Sequence, residues 1–141
     1  MNLFYKAVSD IQNILIEEPM IATVTYGEID DTLVNSNGVF PLAHLMTGNV
    51  VIQDRVILMS ITVILMDVLN SDESNEQDVL NTQLNIASRL DAILKRNSLY
   101  RNDYELQGQL ECEPFTERFD QYTAGYTVSF QIAIKNSMTS C

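Results

Sequence analysis

The stretch "RVILMSITVILMDVL", Arg55 to Leu69, constrains the fold more than any other part of the chain. After the arginine, Ser60, Thr62 and Asp67 are its only polar interruptions. A membrane-crossing helix needs about 20 consecutive apolar residues. This run is shorter, with Asp54 and Arg55 at one end and Asp67 near the other. Val, Ile and Thr dominate it, and branching at Cβ favours a pleated strand over a helix. At a period of two, Ile57, Met59, Ile61, Val63 and Leu65 form a wholly apolar row. The alternate row, Val56 to Met66, is mixed but still mostly apolar. The spacing therefore predicts a long strand with one core face and a second face that something else must cover, whether a helix, another sheet or a neighbouring subunit.

A chain of 141 residues fits a single domain, and one of this size buries roughly 70% of its unfolded surface. The opening "MNLFYKAVSDIQNIL" lacks the continuous apolar core and small-residue cleavage site of a signal peptide. Cys112 and Cys141 have no metal-binding spacing and read as free thiols in a reducing compartment. The formal net charge of −11 argues against tight binding to a nucleic-acid backbone, which requires clustered Lys and Arg. It does not prevent DNA from passing nearby.

Leu3, Phe4, Ala7, Val8, Ile11, Ile14 and Leu15 recur at helical spacing, predicting an amphipathic helix from about Asn2 to Glu17, stopped by Pro19. Glu17 and Glu18 then lie at a helix carboxyl end, where the macrodipole disfavours negative charge, so a cation is expected from elsewhere. "MIATVTYGEIDD" reads as a short strand ended by Gly27, Asp30 and Asp31, and "NSNG" at Asn35 to Gly38 as a turn. Phe40 to Gln53 is expected to be extended, with Gly48 marking a bulge and "QDR" the hairpin corner into the long strand.

"SDESNEQDVLNTQLNIASRLDAILKRN" predicts a second helix. Ser74 and Gln77 have the spacing of a capping box, Glu76 and Asp78 suit its amino end, and Lys95 and Arg96 suit its carboxyl end. In "YELQGQLEC", Tyr104, Leu106, Leu110 and Cys112 alternate with polar residues, as do Tyr126, Val128, Phe130, Ile132 and Ile134 in "AGYTVSFQIAIK". Both are expected to be half-solvated antiparallel strands. Between them, "EPFTERFDQYT" reads as a polar linker carrying Phe115, Phe119 and Tyr122. No repeat or domain linker interrupts the chain. The expected fold is α+β: an antiparallel sheet of four to five strands with two amphipathic helices on one face, in the order α-β-β-β-α-β-β, over residues 1–141.

Catalytic constellations are not evident. His44 is the single histidine, set in the apolar alternation of "PLAHLM", and reads as a hydrogen-bonded structural residue. The glycines are scattered singly, with no phosphate-binding loop. The acidic run Asp72, Glu73, Glu76 and Asp78 lacks the glycine and terminal glutamate of a calcium loop, and Asp30 with Asp31 reads as a solvated turn. The expectation is a binding or structural protein without enzymatic activity, cofactor or metal. Arg89, Lys95, Arg96 and Arg101 cluster around the end of the second helix, while acids gather at its start. This polarity fits either dipole complementation within one chain or a head-to-tail contact between subunits. Phe115 and Phe119, beside Arg118, suit either an interface or closure of the local core.

A first helix ending at "EEP", then "VTYGEIDD", "VFPLAHLM", a hairpin ending "MDVL", the helix "NEQDVLNTQLNIASRL" and a closing "CEPFTERFDQYTAGYTVSFQIAI" together resemble the tail-terminator, or tail-completion, proteins of long-tailed bacteriophages. The resemblance is especially to versions from phages of Bacteroidetes-type hosts. It spans nearly the whole chain and rests on element order and size. It implies a virion protein, assembled in the host cytoplasm, whose hexameric ring caps the tail tube and meets the head connector. DNA would pass through the ring, with no membrane and no cofactor involved. It also implies that the second face of the long strand is covered within the ring or against the tube. The rival readings are another neck or tail-tube ring component, and a small cytoplasmic α+β ligand-binding domain.

Overall fold

The hydrocarbon run forms β3 (Val56–Val68), the middle strand of a five-stranded sheet. The computed structural model describes residues 3–27, 40–69, 74–116 and 123–136. Around β3 the chain forms α1 (Leu3–Glu17), β1 (Thr23–Tyr26), β2 (Leu42–Ile52), α2 (Glu76–Leu94), the short α3 (Leu99–Asn102), β4 (Tyr104–Thr116) and β5 (Thr123–Lys135). The expected turn at Asn35–Gly38, the acids Asp30, Asp31, Asp72 and Glu73, and Arg118, Phe119, Tyr122 and Cys141 lie outside the described residues.

The sheet order is β1-β2-β3-β5-β4. The three pairs from β2 to β4 are antiparallel, but β1 runs parallel to β2, so the sheet is mixed rather than antiparallel throughout. The sheet was expected to be antiparallel, with "NSNG" read as a turn between these strands. Parallel neighbours instead need a connection of about a dozen residues or more, and the long segment between Tyr26 and Leu42 is sufficient for one. The Gln53–Arg55 corner forms as expected, with Gln53 N–H donating to the Val56 carbonyl at 2.9 Å. The bulge also forms at Gly48, where the β2–β3 register shifts between Thr47 and Val50.

Both long helices lie on one face of the sheet. Ala7, Val8, Ile11 and Leu15 of α1 and Ile86, Ala87, Leu90 and Leu94 of α2 join one core with Met59, Ile61, Val63 and Leu65 of β3. Val128, Phe130, Ile132 and Ile134 of β5 complete it, so the period of two assigned these faces correctly. Each fully buried aliphatic side chain contributes about 1.5–3 kcal/mol relative to exposure. β3 and β4 run the same way with β5 between them, so the chain must cross the sheet to connect them. α2 makes that crossing.

The second face of β3 is partly covered within the chain itself. Leu42, Ile64 and Met66 are buried there, with Phe40, Met46 and Phe115 packed against them. Phe115 belongs to this cluster because β4 continues to Thr116, past the point where a polar linker was expected to begin. Opposite Phe115 in the register is Gly125. A Cβ at Gly125 would collide with the backbone carbonyl of Leu65, so only glycine permits this approach of β5 to β3.

The start of α2 departs from the sequence reading. Its N-cap is Asn75, one residue after Ser74, and Asn75 makes no side-chain capping bond. The Asn75 Nδ2 instead donates to the Val68 carbonyl at 3.2 Å, tying the helix start to the end of β3. The short α3 gave no periodic signal; Ser98 Oγ caps it by accepting from Arg101 N–H at 3.2 Å.

Two substitutions test this packing. Ile61→Asp, in the core, should abolish soluble expression, because an unpaired buried charge costs several kcal/mol. Thr62→Asp, on the opposite and half-exposed row, should still give folded protein with a modestly lower melting temperature. Equal tolerance of both in thermal melts would contradict the face assignment. Gly125→Ala should lower stability by about 3 kcal/mol or more in denaturant unfolding, because the clash is with backbone that cannot rotate away.

Candidate assembly surface

The basic cluster is partly committed inside the chain. Arg89 Nε and Nη2 donate to the two carboxylate oxygens of Glu18 at 2.8 and 2.7 Å. This supplies the cation that the acidic end of α1 required. The Arg89 hydrogen bonds hold the Glu18 carboxyl below its usual range, against the upward push of burial, with help from the Met20 N–H. Lys95 pairs with Asp91 one turn earlier at 2.9 Å. Arg96 and Arg101 are exposed and make no ion pair among the described residues.

Two further ties hold α1 in place. Lys6 Nζ pairs with Asp103 at 3.1 Å. The buried Tyr104 hydroxyl hydrogen-bonds with Asp10 and Asn97, and burial together with the Asp10 charge pushes its pKa up to about 12. His44 is structural, as its setting suggested. Its Nε2 lies 2.9 Å from the Gly27 carbonyl and must donate to it, so Nδ1 accepts from Thr25 Oγ1 at 2.6 Å. Both bonds fasten β1 to β2, and the ring is fully buried. Cys112 is a free thiol, half-buried, with its pKa raised by burial and by Asp91.

The sequence reading missed the surface at the β2–β3 corner. Val50, Val51 and Ile52 are 50%, 50% and 74% exposed, on both faces of β2. Beside them lie the exposed Phe4 and Tyr5, whose rings meet edge to face at 5.5 Å. A hollow of about 210 Å³ lies between α1 and the corner, lined by Phe4, Val50, Ile52, Ile57, Met59 and Ile134, with Lys135 at its edge. The signal was present in the sequence: in "NVVIQDRVI" the strand stays apolar on both faces up to the turn. The corner itself is held firmly. Asn136 Nδ2 donates to the Gln53 carbonyl at 2.8 Å, and Asn136 N–H donates to the Arg55 carbonyl at 2.9 Å.

Among the described residues, no three His, Cys, Asp or Glu side chains group as a metal site, and no helix is long and apolar enough to cross a membrane. Comparison with protein-family models and with curated proteins finds no match for this chain.

The Arg89–Glu18 pair predicts a pH-dependent effect. Arg89→Ala should cost on the order of 1 kcal/mol at neutral pH, discounted for the exposure of the guanidinium. Because the pair lowers the Glu18 pKa, its contribution is complete above the ordinary Glu value of about 4.3 and is lost as pH falls through the lowered value. Paired thermal melts should show the wild-type advantage at neutral pH shrinking in strong acid. An advantage that persists unchanged in acid would contradict this assignment.

Proposed function

We propose that this chain is a ring-forming structural subunit of a long-tailed bacteriophage, the tail terminator that caps the tail tube and meets the head connector. The observation that carries this reading is the apolar β2–β3 corner, which a single copy leaves open to water on both faces of a strand. Contiguous exposed apolar surface marks an interaction site, and a second copy of the chain is the partner that a ring requires. The element order on which the resemblance rests is met in part here, with the short α3 added before β4 and β1 parallel to β2. The proposed ring has six subunits, contacts the tube and connector proteins on its two ends, and belongs to the head–tail junction of the virion.

The charge supports passage of DNA rather than its capture. With −11 per chain, a six-membered ring carries a large negative excess that repels phosphates from a channel wall. Of the four basic residues around the end of α2, Arg96 and Arg101 remain available for a neighbour, so apolar burial dominates the subunit contact. Another neck or tail-tube ring component would share this geometry. The ligand-binding reading draws on the hollow beside Phe4, but about 210 Å³ is small for such a role, since ligand sites usually run to about 300–1,000 Å³.

Sedimentation of the purified protein should give a native mass six times that of the chain, largely retained at about 1 M salt, where exposed charge pairs are screened. Labelled duplex DNA added at physiological salt should remain in the slow fraction. Tight co-sedimentation with DNA would overturn the acidic-channel argument. A single-chain mass at every concentration would overturn the ring.

A further inference from the structure

We infer that the first two turns of α2, from Glu76 to Gln83, are a latch that unwinds from the sheet while the rest of the helix stays docked. The latch stands apart from the ring reading and does not depend on it. Gln83 is fully buried in the apolar stripe of α2, between Val79 and Ile86. Among the described residues, neither its amide nitrogen nor its amide oxygen has a hydrogen-bond partner. A buried amide without partners is held at a cost, because water would bond both of its ends. Leucine or methionine at this position would carry no such cost, and both form helix as readily as glutamine does.

The same residue marks a division in the packing of the helix. Beyond it, Ile86, Ala87, Leu90 and Leu94 join the main core with β3 and β5. Before it, Val79 and the partly buried Leu80 belong to a separate small cluster with Leu69, just past β3, and Ala124, near the start of β5. The two clusters share no residue, so the small one can be given up without opening the main core. Asp67 lies at the same end, opposite Ala124 in the ladder; it is half-buried, and burial pushes its pKa up. A carboxylate short of water is a second reason why this end is held less tightly than the rest.

The surrounding contacts set what opening involves. Asn75 Nδ2 holds the Val68 carbonyl at 3.2 Å, an exposed bond that anchors the chain ahead of the helix. Ile86 and Ala87 anchor it behind. Between these anchors the unwound segment is a short tethered loop, which recloses fast. Unwinding breaks the bonds of the first turns, beginning with Val79 N–H to the Asn75 carbonyl at 2.9 Å. It hands the Gln83 amide to water and uncovers Leu69 and Ala124 at the end of the sheet. Glu76 and Asp78, in the first turn, favour the wound form through the helix dipole, so the latch rests shut. Elements that move are those whose local opening costs much less than global unfolding.

The test is native-state hydrogen exchange, resolved by residue, on the wild-type chain and on Gln83→Leu. In wild type the amides of Val79 to Gln83, corrected for their intrinsic rates, should exchange about tenfold faster or more than those of Leu90 to Leu94. Gln83→Leu should slow the first group about tenfold or more and close most of that gap, because removing an unpaired buried amide favours the wound form. Equal protection along the whole helix in wild type would overturn the inference. Slowing of both groups by the same factor would also overturn it, since that marks global stabilisation alone. An unchanged first group would do so as well, since that marks ordinary fraying of a helix end. Gln83→Met, closer in shape to glutamine, keeps the test available if leucine disturbs the packing, and should slow the first group in the same way. Faster exchange of that group in both variants would overturn the latch by showing that the amide is bonded in the closed form.

Discussion

The ladder between β3 and β5 is the interaction on which the rest of the structure depends. It runs without a break from Val56 opposite Lys135 to Val68 opposite Thr123. Side chains on paired strands alternate together, so this one register decides the whole core face: Met59, Ile61, Val63 and Leu65 lie on the same side as Val128, Phe130, Ile132 and Ile134. A slip of one residue would turn an apolar row to water and bring Ser60, Thr62, Ser129 and Gln131 toward the helices. Gly125 fixes one end of the register by allowing a backbone approach that no side chain could share. Asn136 fixes the other by holding the Gln53 and Arg55 carbonyls of the β2–β3 corner. Each outer strand then takes its position from an inner one.

The polar ties follow the same logic, since they join elements that hydrocarbon packing alone leaves free to slide. Lys6 to Asp103 and Asp10 to Tyr104 tie α1 to the start of β4, and Glu18 to Arg89 ties the chain just past its carboxyl end to α2. Their individual worth is small, as surface ion pairs contribute about 0–1 kcal/mol. Their effect is positional: apolar contacts are non-directional, whereas a bidentate guanidinium–carboxylate pair fixes an angle and a register. Lys6 and Arg89, committed to this work within the chain, are unavailable to a neighbour.

How much of this was legible depended on whether the signal was local. The faces of β3 and β5 follow from period-two patterning, and α1 from helical spacing, because each pattern is complete within its own segment. The missing cation at Glu18 was also legible as a misfit, although Arg89 could be named as its source only once α2 had packed. The parallel placement of β1 was not legible, because "NSNG" signals a turn without fixing which strand lies beyond it. The capping box failed by one residue because Asn75 turns to the Val68 carbonyl, a group that reaches the helix start only in the folded chain. Phe115 looked exposed for a similar reason: its covering partners, Leu42, Ile64 and Met66, come from two other strands. The apolar corner was overlooked because a strand run apolar on both sides reads as doubly buried. In the single chain it is the reverse.

That reversal is the feature on which the proposed assembly draws. An antiparallel strand that is apolar on both faces belongs in the middle of a sheet, and Leu42 to Leu45 of β2 are buried with β1 beside them. From Val50 to Ile52 the sequence keeps a composition suited to the interior, but β1 has already ended. An edge strand in an isolated protein is usually blunted by charge or proline, as β4 is by its glutamates and Pro114. From Met46 onward β2 has neither, only the bulge at Gly48. Sequence composition and exposure therefore disagree from Val50 to Ile52, and this is the apolar surface that the proposed assembly would cover.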